Sequence, residues 1–323
     1  MRSSKKTLLI TSGIAVAGMS ISLVTSHLIT ATLMKVALHR KAPNVVGNLR
    51  NKLTRSPKTK EALAVMQACA QRLEENVSEQ IEIVSQDGER LIGHWYPCPN
   101  AKRILVAMHG WRSSWSRDFG GISTFWHDRE CSVLYAEQRG QNNSSGEYIT
   151  FGFKERYDCL EWVNWVIKNI DSTLPIYLCG ISMGASTVLM ASGLPLPDAV
   201  HGIIADCGFT SPHAIWRHVV KNNLHLTYYT RERAMNDFYQ KNFQTRIADL
   251  STVRALEKNK TPVLFVHGAA DRFVPIEMTY QNYAACQAPK RLLVVPDARH
   301  GMSYFIDKDA YKRVTDDFWR DFD

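Results

Sequence analysis

Short apolar runs alternate with longer runs of helical spacing from residue 103 to the end of the chain. Nearly continuous apolar runs predict strands that are buried on both faces. Strands separated by helices predict a parallel sheet with helices on both sides, which is an α/β fold. The predicted strands are Ile104–Met108, Val133–Glu137, Ile176–Cys179, Gly202–Ala205, Val263–Val266 and Leu292–Val295. The predicted helices are Phe119–His127, Phe153–Asn169, Ala185–Ser192, Glu277–Cys286 and Ser303–Arg320.

A helix and a strand pair precede this alternating region. Apolar residues recur at helical spacing between Lys58 and Glu75, which predicts a helix. Residues 80–85 alternate between apolar and polar side chains, and residues 91–96 form a second run after the turn pair Asp87-Gly88. This pattern predicts a β-hairpin at the start of a globular domain that spans residues 79–323.

One long segment interrupts the alternation of strands and helices. More than fifty residues separate the strand that ends at Ala205 from the strand that begins at Val263, and residues 211–249 are rich in aromatic side chains. Long insertions at the carboxyl end of such a sheet often cover a binding site. We therefore predict a helical cap over about 211–249, with an ordinary helical hairpin as the alternative. The cap residues predicted to contact substrate are Trp216, Tyr228, Tyr229 and Phe238.

The N-terminal region contains 28 residues, between Lys6 and Lys35, without a formally charged side chain when histidine is neutral. A helix of about 20 apolar residues is long enough to cross a bilayer. We predict that residues 1–36 form a retained single-pass anchor in the cell membrane. Cleavage of a signal peptide near residues 15–17 is the alternative. Basic residues flank the apolar stretch on both sides, so the side on which the catalytic domain lies stays open.

The positive charge of the chain is concentrated at its N-terminus. The net charge is +8, but residues 1–60 hold eleven Lys or Arg and no Asp or Glu, so the remainder carries a net charge of −3. This split argues against a nucleic-acid-binding domain. Residues 37–78 are predicted to form a basic linker and a helix, and the linker either contacts the headgroups of membrane lipids or is solvated.

The cysteines give no indication of a metal site. All seven occur singly, without a C-x-x-C pair. This spacing disfavours zinc, and an odd number of scattered cysteines disfavours a disulfide framework. We predict no metal ligands and a reducing or anoxic environment.

The pentapeptide Gly180-Ile181-Ser182-Met183-Gly184 is the candidate for catalytic chemistry. It lies between a predicted strand and a predicted helix of small residues. In that context G-x-S-x-G forms a nucleophile elbow, whose sharp turn exposes the serine Oγ. Bulky flanking side chains would collide in such a turn, so glycine is expected at both ends. Ser182 is the predicted nucleophile.

A serine nucleophile requires a base and an acid that orients the base. His300 follows the last predicted strand on a loop, and Asp271 follows the strand before it. The order Ser182, Asp271, His300 is the order in which a triad occurs in this kind of fold. Asp206, directly after an earlier strand, and Asp297 are the alternative acids.

The tetrahedral intermediate of acyl transfer requires two backbone N–H donors. One is predicted at Met183, directly after the nucleophile. The other is predicted at Trp111, on the loop that follows the strand Ile104–Met108. His109 in the same loop and Arg139 after the next strand are interpreted as structural residues.

Together these motifs resemble the α/β-hydrolase superfamily, in the family's order and over residues ~80–320. More narrowly, the chain is similar to membrane-anchored bacterial members of the serine aminopeptidase-like branch. The resemblance implies an α/β-hydrolase fold with an eight-stranded, mostly parallel sheet, a cap after strand six, no cofactor, and an ester, thioester or amide substrate. Many members carry Asp where this chain has Gln138, a departure expected to weaken a loop contact. The matching segments are HGW at 109–111, QRGQNNSSG at 138–146, GISMG at 180–184, HGAADRFVP at 267–275 and ARHGMSY at 298–304.

The leading hypothesis is therefore a carboxylesterase-like serine hydrolase that cleaves a small-molecule ester of an apolar acyl or aryl group through an acyl-enzyme on Ser182. A peptidase, amidase or acyltransferase would use the same triad. A non-catalytic, membrane-tethered binding protein on a hydrolase scaffold is the alternative of another class. The fold alone does not identify a substrate.

Overall fold

The computed structural model describes residues 28–41, 57–76, 79–170 and 173–323. The predicted membrane anchor lies mostly at residues 1–27, outside these ranges, and stays a prediction. Within the described ranges, no helix combines the length and the apolar character that crossing a bilayer requires.

The sheet has eight strands: β1 Glu79–Val84, β2 Arg90–Tyr96, β3 Arg103–Met108, β4 Cys131–Ala136, β5 Ile176–Ile181, β6 Val200–Asp206, β7 Val263–Gly268 and β8 Lys290–Val295. They lie in the order β1-β2-β4-β3-β5-β6-β7-β8. Strand β2 pairs antiparallel with β1 and with β4, and the remaining neighbours are parallel. The predicted α/β-hydrolase fold with a mostly parallel sheet is thereby confirmed.

Helices follow the strands as the alternating pattern predicts. The described helices are α1 at 28–38, α2 Pro57–Asn76, α3 Trp115–Asp128, α4 Glu155–Asn169, α5 Met183–Ala191, α6 Pro212–His218, α7 Tyr229–Phe243, α8 Thr252–Leu256, α9 Ile276–Ala285, α10 Ser303–Ile306 and α11 Lys308–Phe322. A π-helical turn, Val219–Asn223, and a 3₁₀ turn, Ile247–Asp249, lie in the segment between β6 and β7.

The last predicted helix is wrong in one respect, because Ser303–Arg320 is not continuous. The chain leaves helical geometry at Asp307, whose φ is −135° and whose side chain accepts a hydrogen bond from the N–H of Ala310 at 2.9 Å. An aspartate that caps a helix start in this way satisfies a backbone donor that has no intrahelical partner. The cap residue therefore begins a second helix, α11.

The core has three parts. Alternate residues of β3 face opposite sides of the sheet, with Val106 in one apolar cluster and Leu105 in the other. A third cluster lies over the carboxyl ends of the strands and includes Met183 and Trp216. It also includes Met34, Ala37 and Leu38 of α1, although this region was predicted to belong to a membrane anchor and a linker.

The turn after β5 depends on glycine at both flanks. A Cβ atom on Gly184 would lie 1.8 Å from the carbonyl oxygen of Met108, at the end of β3. A Cβ on Gly180 would lie 2.3 Å from the carbonyl oxygen of Gly184. Atoms cannot approach this closely, and the obstacles are backbone atoms that cannot rotate away.

We predict that Gly184→Ala destabilises the protein by about 3 kcal/mol or more, because the added methyl group must displace a central strand. Gly208→Ala is the matched control, since its Cβ would meet side-chain carbons at 3.1 and 3.4 Å. We expect the control to cost at most about 1 kcal/mol. Urea denaturation of both variants measures the difference, and equal free energies of unfolding would contradict the prediction.

Candidate active site

Ser182 occupies the turn between β5 and α5 in a strained conformation. Its φ and ψ angles are 57° and −114°, and its N–H donates to the carbonyl of Asp206 at 2.8 Å. A non-glycine residue in such a region costs about 1–3 kcal/mol and is typical of functional sites. The turn presents the Oγ atom beyond the carboxyl edge of the sheet.

His300 contacts both other members of the predicted triad. Its Nε2 atom lies 2.8 Å from Ser182 Oγ, and its Nδ1 atom lies 2.7 Å from Asp271 Oδ2. The three residues follow β5, β7 and β8, whose carboxyl ends share one edge of the sheet. The structure thus brings together a nucleophile, a base and an acid in the arrangement that general-base catalysis requires.

The carboxylate of Asp271 is buried and well supplied with donors. Its Oδ1 accepts from the N–H groups of Phe273 and Val274 at 2.8 and 3.0 Å. Burial alone would raise its pKa, but hydrogen bonds from His267 and His300 and from backbone N–H hold the pKa below its usual range. Asp271 therefore stays charged and can stabilise the imidazolium that forms on His300.

His267 supports the site and was missed by the sequence analysis. It is completely buried at the end of β7, with Nδ1 2.7 Å from Thr279 Oγ1 and Nε2 3.0 Å from the carbonyl oxygen of Val274. Its Nε2 also lies 3.4 Å from Asp271 Oδ2. This histidine fixes the loop that carries the acid. The available sequence signals were its place at the start of the matching segment 267–275 and its position four residues before Asp271.

The two alternative acids lie elsewhere. Asp206 is buried near the triad, but its Oδ1 accepts from Ser303 Oγ at 3.1 Å, and no described hydrogen bond joins it to His300. Burial raises the pKa of Asp206 to about 6. Asp297 is exposed at a position with φ of 59°. The geometry therefore favours Asp271 as the partner of His300.

The loop after β3 offers one free backbone donor at the predicted position. Gly110 N–H donates to Asp118 Oδ2 at 2.7 Å, and Arg112 N–H donates to Gln141 Oε1 at 2.5 Å. Between them, Trp111 N–H has no acceptor among the described residues. Met183 begins α5, where helical N–H groups lack intrahelical partners. Both predicted oxyanion donors are thus available.

His109 and Gln138 hold this loop from behind. His109 is fully buried, and its ring accepts the N–H of Gln138 at 3.1 Å. The side-chain amide of Gln138 donates to the carbonyl of His109 and accepts from Thr187 Oγ1 at 3.0 Å. Gln138 stands where many family members carry Asp, and this departure was expected to weaken a loop contact. In this structure the Gln138 amide instead bonds to both the His109 carbonyl and the Thr187 hydroxyl.

Ser182 separates two cavities of different character. The smaller, of about 90 Å³, is almost entirely apolar. The larger, of about 410 Å³, is more polar and also contains His300. The smaller cavity is lined by Ala37, Trp111, Phe151, Ser182, Met183, Phe209, Ile215, Trp216, Val219 and Phe273. The larger is lined by Met66, Gly110, Trp111, Arg112, Ser113, Arg117, Asp118, Ile181, Ser182, His300, Gly301, Met302 and Phe305.

Of the four cap aromatics predicted to contact substrate, the structure places only Trp216 at a described cavity beside Ser182. Tyr229 is 84% exposed, and Tyr228 is buried within the cap against His213. Phe238 lines a separate groove between α1 and α7. The described cavities that contain Ser182 do not include these three side chains, so their contact with substrate stays a prediction. Phe238 of α7 packs against Tyr148.

Triad members also form a cluster of metal-ligand type with Cys207, whose ligand atoms lie within 4.8 Å of those of Asp271 and His300. Burial raises the pKa of the Cys207 thiol well above its ordinary value, so the thiolate that metals prefer is disfavoured. His300 and Asp271 are already bonded to each other. The hydrolase triad therefore explains this cluster better than a metal site does.

The fold and the Ser182–His300–Asp271 arrangement define a serine hydrolase of the α/β-hydrolase superfamily. Residues 117–321 match the Prolyl oligopeptidase family, and the chain belongs to that family.

The chain is also similar to individual proteins. YqkD of Bacillus subtilis is 26% identical over 58% of this chain and 61% of its own length, so the match spans less than two thirds of that relative. YfhR of Escherichia coli is 25% identical over 75% of this chain and 80% of YfhR.

Solved structures share the fold at lower identity. An esterase of Pyrococcus furiosus has a TM-score of 0.62 at 20% identity, covering 76% of this chain and 91% of the esterase. Est1E of Butyrivibrio proteoclasticus with bound ferulic acid has a TM-score of 0.60 at 19% identity, covering 75% of this chain and 98% of Est1E. An acylaminoacyl peptidase of Pyrococcus horikoshii has a TM-score of 0.57 at 14% identity, covering 75% of this chain and 41% of the peptidase.

We predict that Asp271→Asn lowers kcat on an activated ester by roughly 10³–10⁴, because the amide would hold His300 in the wrong tautomer. Asp206→Asn is the matched control, a second buried acid near His300 without a bond to it, and it should lose less than about tenfold. Steady-state kinetics of the two variants test the assignment. Reversed effects would make Asp206 the acid.

Asp206 also gives a prediction for stability. Its folded pKa of about 6 exceeds the ordinary value of 3.8, so its contribution to the free energy of unfolding falls as pH rises between those values. The shift corresponds to about 3 kcal/mol. Asp206→Asn cannot ionise. The free energy of unfolding of this variant, measured by urea denaturation, should therefore rise relative to that of the parent by about 3 kcal/mol from pH 4 to pH 7. A pH-independent difference would contradict the buried, ionisable carboxyl.

Proposed function

We propose that the protein hydrolyses esters of short, apolar carboxylic acids through an acyl-enzyme on Ser182. The single observation that carries this proposal is the small apolar cavity beside the nucleophile. An engineered cavity of about 150 Å³ binds benzene, whereas this cavity has about 90 Å³. Acyl groups of about two to four carbons therefore suit it better than the aryl groups that the sequence analysis also allowed.

The larger cavity supports a role for the opposite side of Ser182 in holding the leaving group. It contains His300, which protonates a leaving alcohol in this class of reaction. Arg117 and Asp118 line the same cavity, so its polar lining suits a polar alcohol. The two cavities thus divide an ester at its scissile bond, with the acyl group on the apolar side.

The proposed reaction uses the groups in the order that their geometry allows. His300 Nε2 accepts the proton of Ser182 Oγ as the oxygen attacks the ester carbonyl. The N–H groups of Trp111 and Met183 stabilise the oxyanion. Collapse of the intermediate expels the alcohol, which takes the proton from His300. Water then attacks the acyl-enzyme by the same route and releases the acid.

An amide or peptide substrate is the second candidate, because the chain belongs to the Prolyl oligopeptidase family. The same triad would serve, with the amine as the leaving group. Acyl transfer to an acceptor other than water is a further alternative. A non-catalytic binding protein is the least favoured, since a strained serine bonded to a histidine that is itself bonded to an acid is the arrangement of a catalytic triad.

We predict highest kcat/KM for p-nitrophenyl acetate to butyrate and a fall of at least about tenfold for the octanoate, because the longer chain exceeds the apolar cavity. Ser182→Ala should lower the rate by at least about 10⁴. Aminoacyl p-nitroanilides and alcohol acceptors in the same assay distinguish the amidase and transferase alternatives. Undiminished activity of Ser182→Ala would exclude the proposal.

A further inference from the structure

We propose that residues 34–41, which precede the predicted hydrolase domain, contribute Ala37 to the wall of the smaller, apolar cavity beside Ser182, here called the acyl cavity. The same segment holds in place the loop of Gly110, Trp111 and Arg112, here called the oxyanion loop. Ala37 is the specificity-determining residue of this wall. The inference rests on the proposed function and deepens it. It makes a segment outside the predicted hydrolase domain part of the substrate site.

The segment is packed into the protein and does not merely lie on its surface. Leu38 is 1% exposed, and Met34 and Ala37 are each 8% exposed. All three belong to the apolar cluster that contains Met183 and Trp216. Met34, Ala37 and Leu38 follow the i, i+3, i+4 spacing that places side chains on one helix face. That face of α1 is directed at the catalytic domain.

Hydrogen bonds to its backbone carbonyls fix the position of the segment. The last carbonyl groups of a helix have no intrahelical donors. Here the catalytic domain supplies them. Arg112 donates to the carbonyls of Val36 at 2.7 and 2.9 Å and of His39 at 2.6 Å. The backbone N–H of Ile149 donates to the carbonyl of Leu38 at 2.6 Å. A cation at a helix C-terminus also interacts favourably with the helix dipole.

The same segment contacts the oxyanion loop. The indole Nε1 of Trp111 donates to the carbonyl of Ala37 at 2.8 Å. Trp111 is also the residue whose backbone N–H is the proposed oxyanion donor. Ala37 therefore acts at two points, as a binding partner of the Trp111 side chain and as a lining residue of the cavity that contains Ser182.

The small size of Ala37 sets the room available to the acyl group. In Ala37→Leu the larger side chain keeps helical propensity but projects towards a cavity of about 90 Å³. We expect kcat/KM for p-nitrophenyl butyrate to fall at least about tenfold more than for the acetate, since each methylene that no longer fits changes discrimination by about 10–200-fold. Ala37→Gly should shift the preference towards longer acyl chains.

The matched control is Ala31→Leu, the same change on the same helix at an exposed position outside this cavity. It should leave the butyrate-to-acetate ratio within about twofold of the parent. All variants are measured in the full-length chain, with thermal denaturation to show that each one folds. An unchanged ratio in both folded Ala37 variants would overturn the inference, as would an equal shift in Ala31→Leu.

Labelling of Ser182 by a small and by a bulkier fluorophosphonate separates this inference from the proposed function. Phosphonylation requires the nucleophile and space beside it, but not an ester substrate. If the parent hydrolyses none of the esters while Ala37→Leu selectively slows the bulkier probe, the proposed function fails and the inference stands. If esters are hydrolysed and neither ratio responds to Ala37, the inference fails alone.

Discussion

The close approach of Gly184 to the carbonyl of Met108 is the constraint on which the site depends. It joins the start of α5, next to the nucleophile, to the end of β3, from which the oxyanion loop departs. The contact is between backbone atoms, so rotation of a side chain cannot remove the steric clash that a larger residue at position 184 would cause. The distance between Ser182 and the N–H of Trp111 is therefore set by the sheet itself. Preorganisation of this kind allows donors to stabilise the oxyanion without rearranging during the reaction.

The triad could be predicted because chain order and strand ends determine it. Ser182, Asp271 and His300 each follow a buried strand, and parallel strands bring such positions to one edge. The role of α1 could not be predicted, because an apolar face looks the same in sequence whether it meets lipid or protein. Met34 and Leu38 were therefore counted within or next to the predicted anchor. The position of Phe238 away from the cavities at Ser182 has a related cause, since the direction in which α7 turns this side chain depends on tertiary packing.

The segment after β4 contacts the loop after β3 through Gln138, Gln141 and Asn142, and a polar network around Arg139 anchors that segment. Arg139 donates to Asp158 at 2.6 Å and to both oxygens of Asp87 at 2.8 and 2.9 Å, which ties the β1–β2 turn to α4. Its interpretation as a structural residue fits these contacts. A buried ion pair adds little net stability, but breaking one leaves an unpaired charge. Arg139 therefore anchors the segment after β4, whose Gln138 and Gln141 side chains bond to the loop that carries Trp111.

Two buried acids, Asp206 and Asp271, lie near His300, and they differ in which one keeps its negative charge as pH falls. Asp271 receives hydrogen bonds from two backbone N–H groups and from His300, whereas Asp206 receives one from Ser303. A negative charge on one carboxylate makes ionisation of the other less favourable, and Asp271 is among the groups that raise the pKa of Asp206. The better-supplied carboxylate keeps its charge, and the other takes up a proton first as pH falls. Environments that separate two pKa values in this way assign roles to the acids. Asp271 therefore bonds to His300 in its charged form, and Asp206 serves as a hydrogen-bond partner of Ser303 at the start of α10.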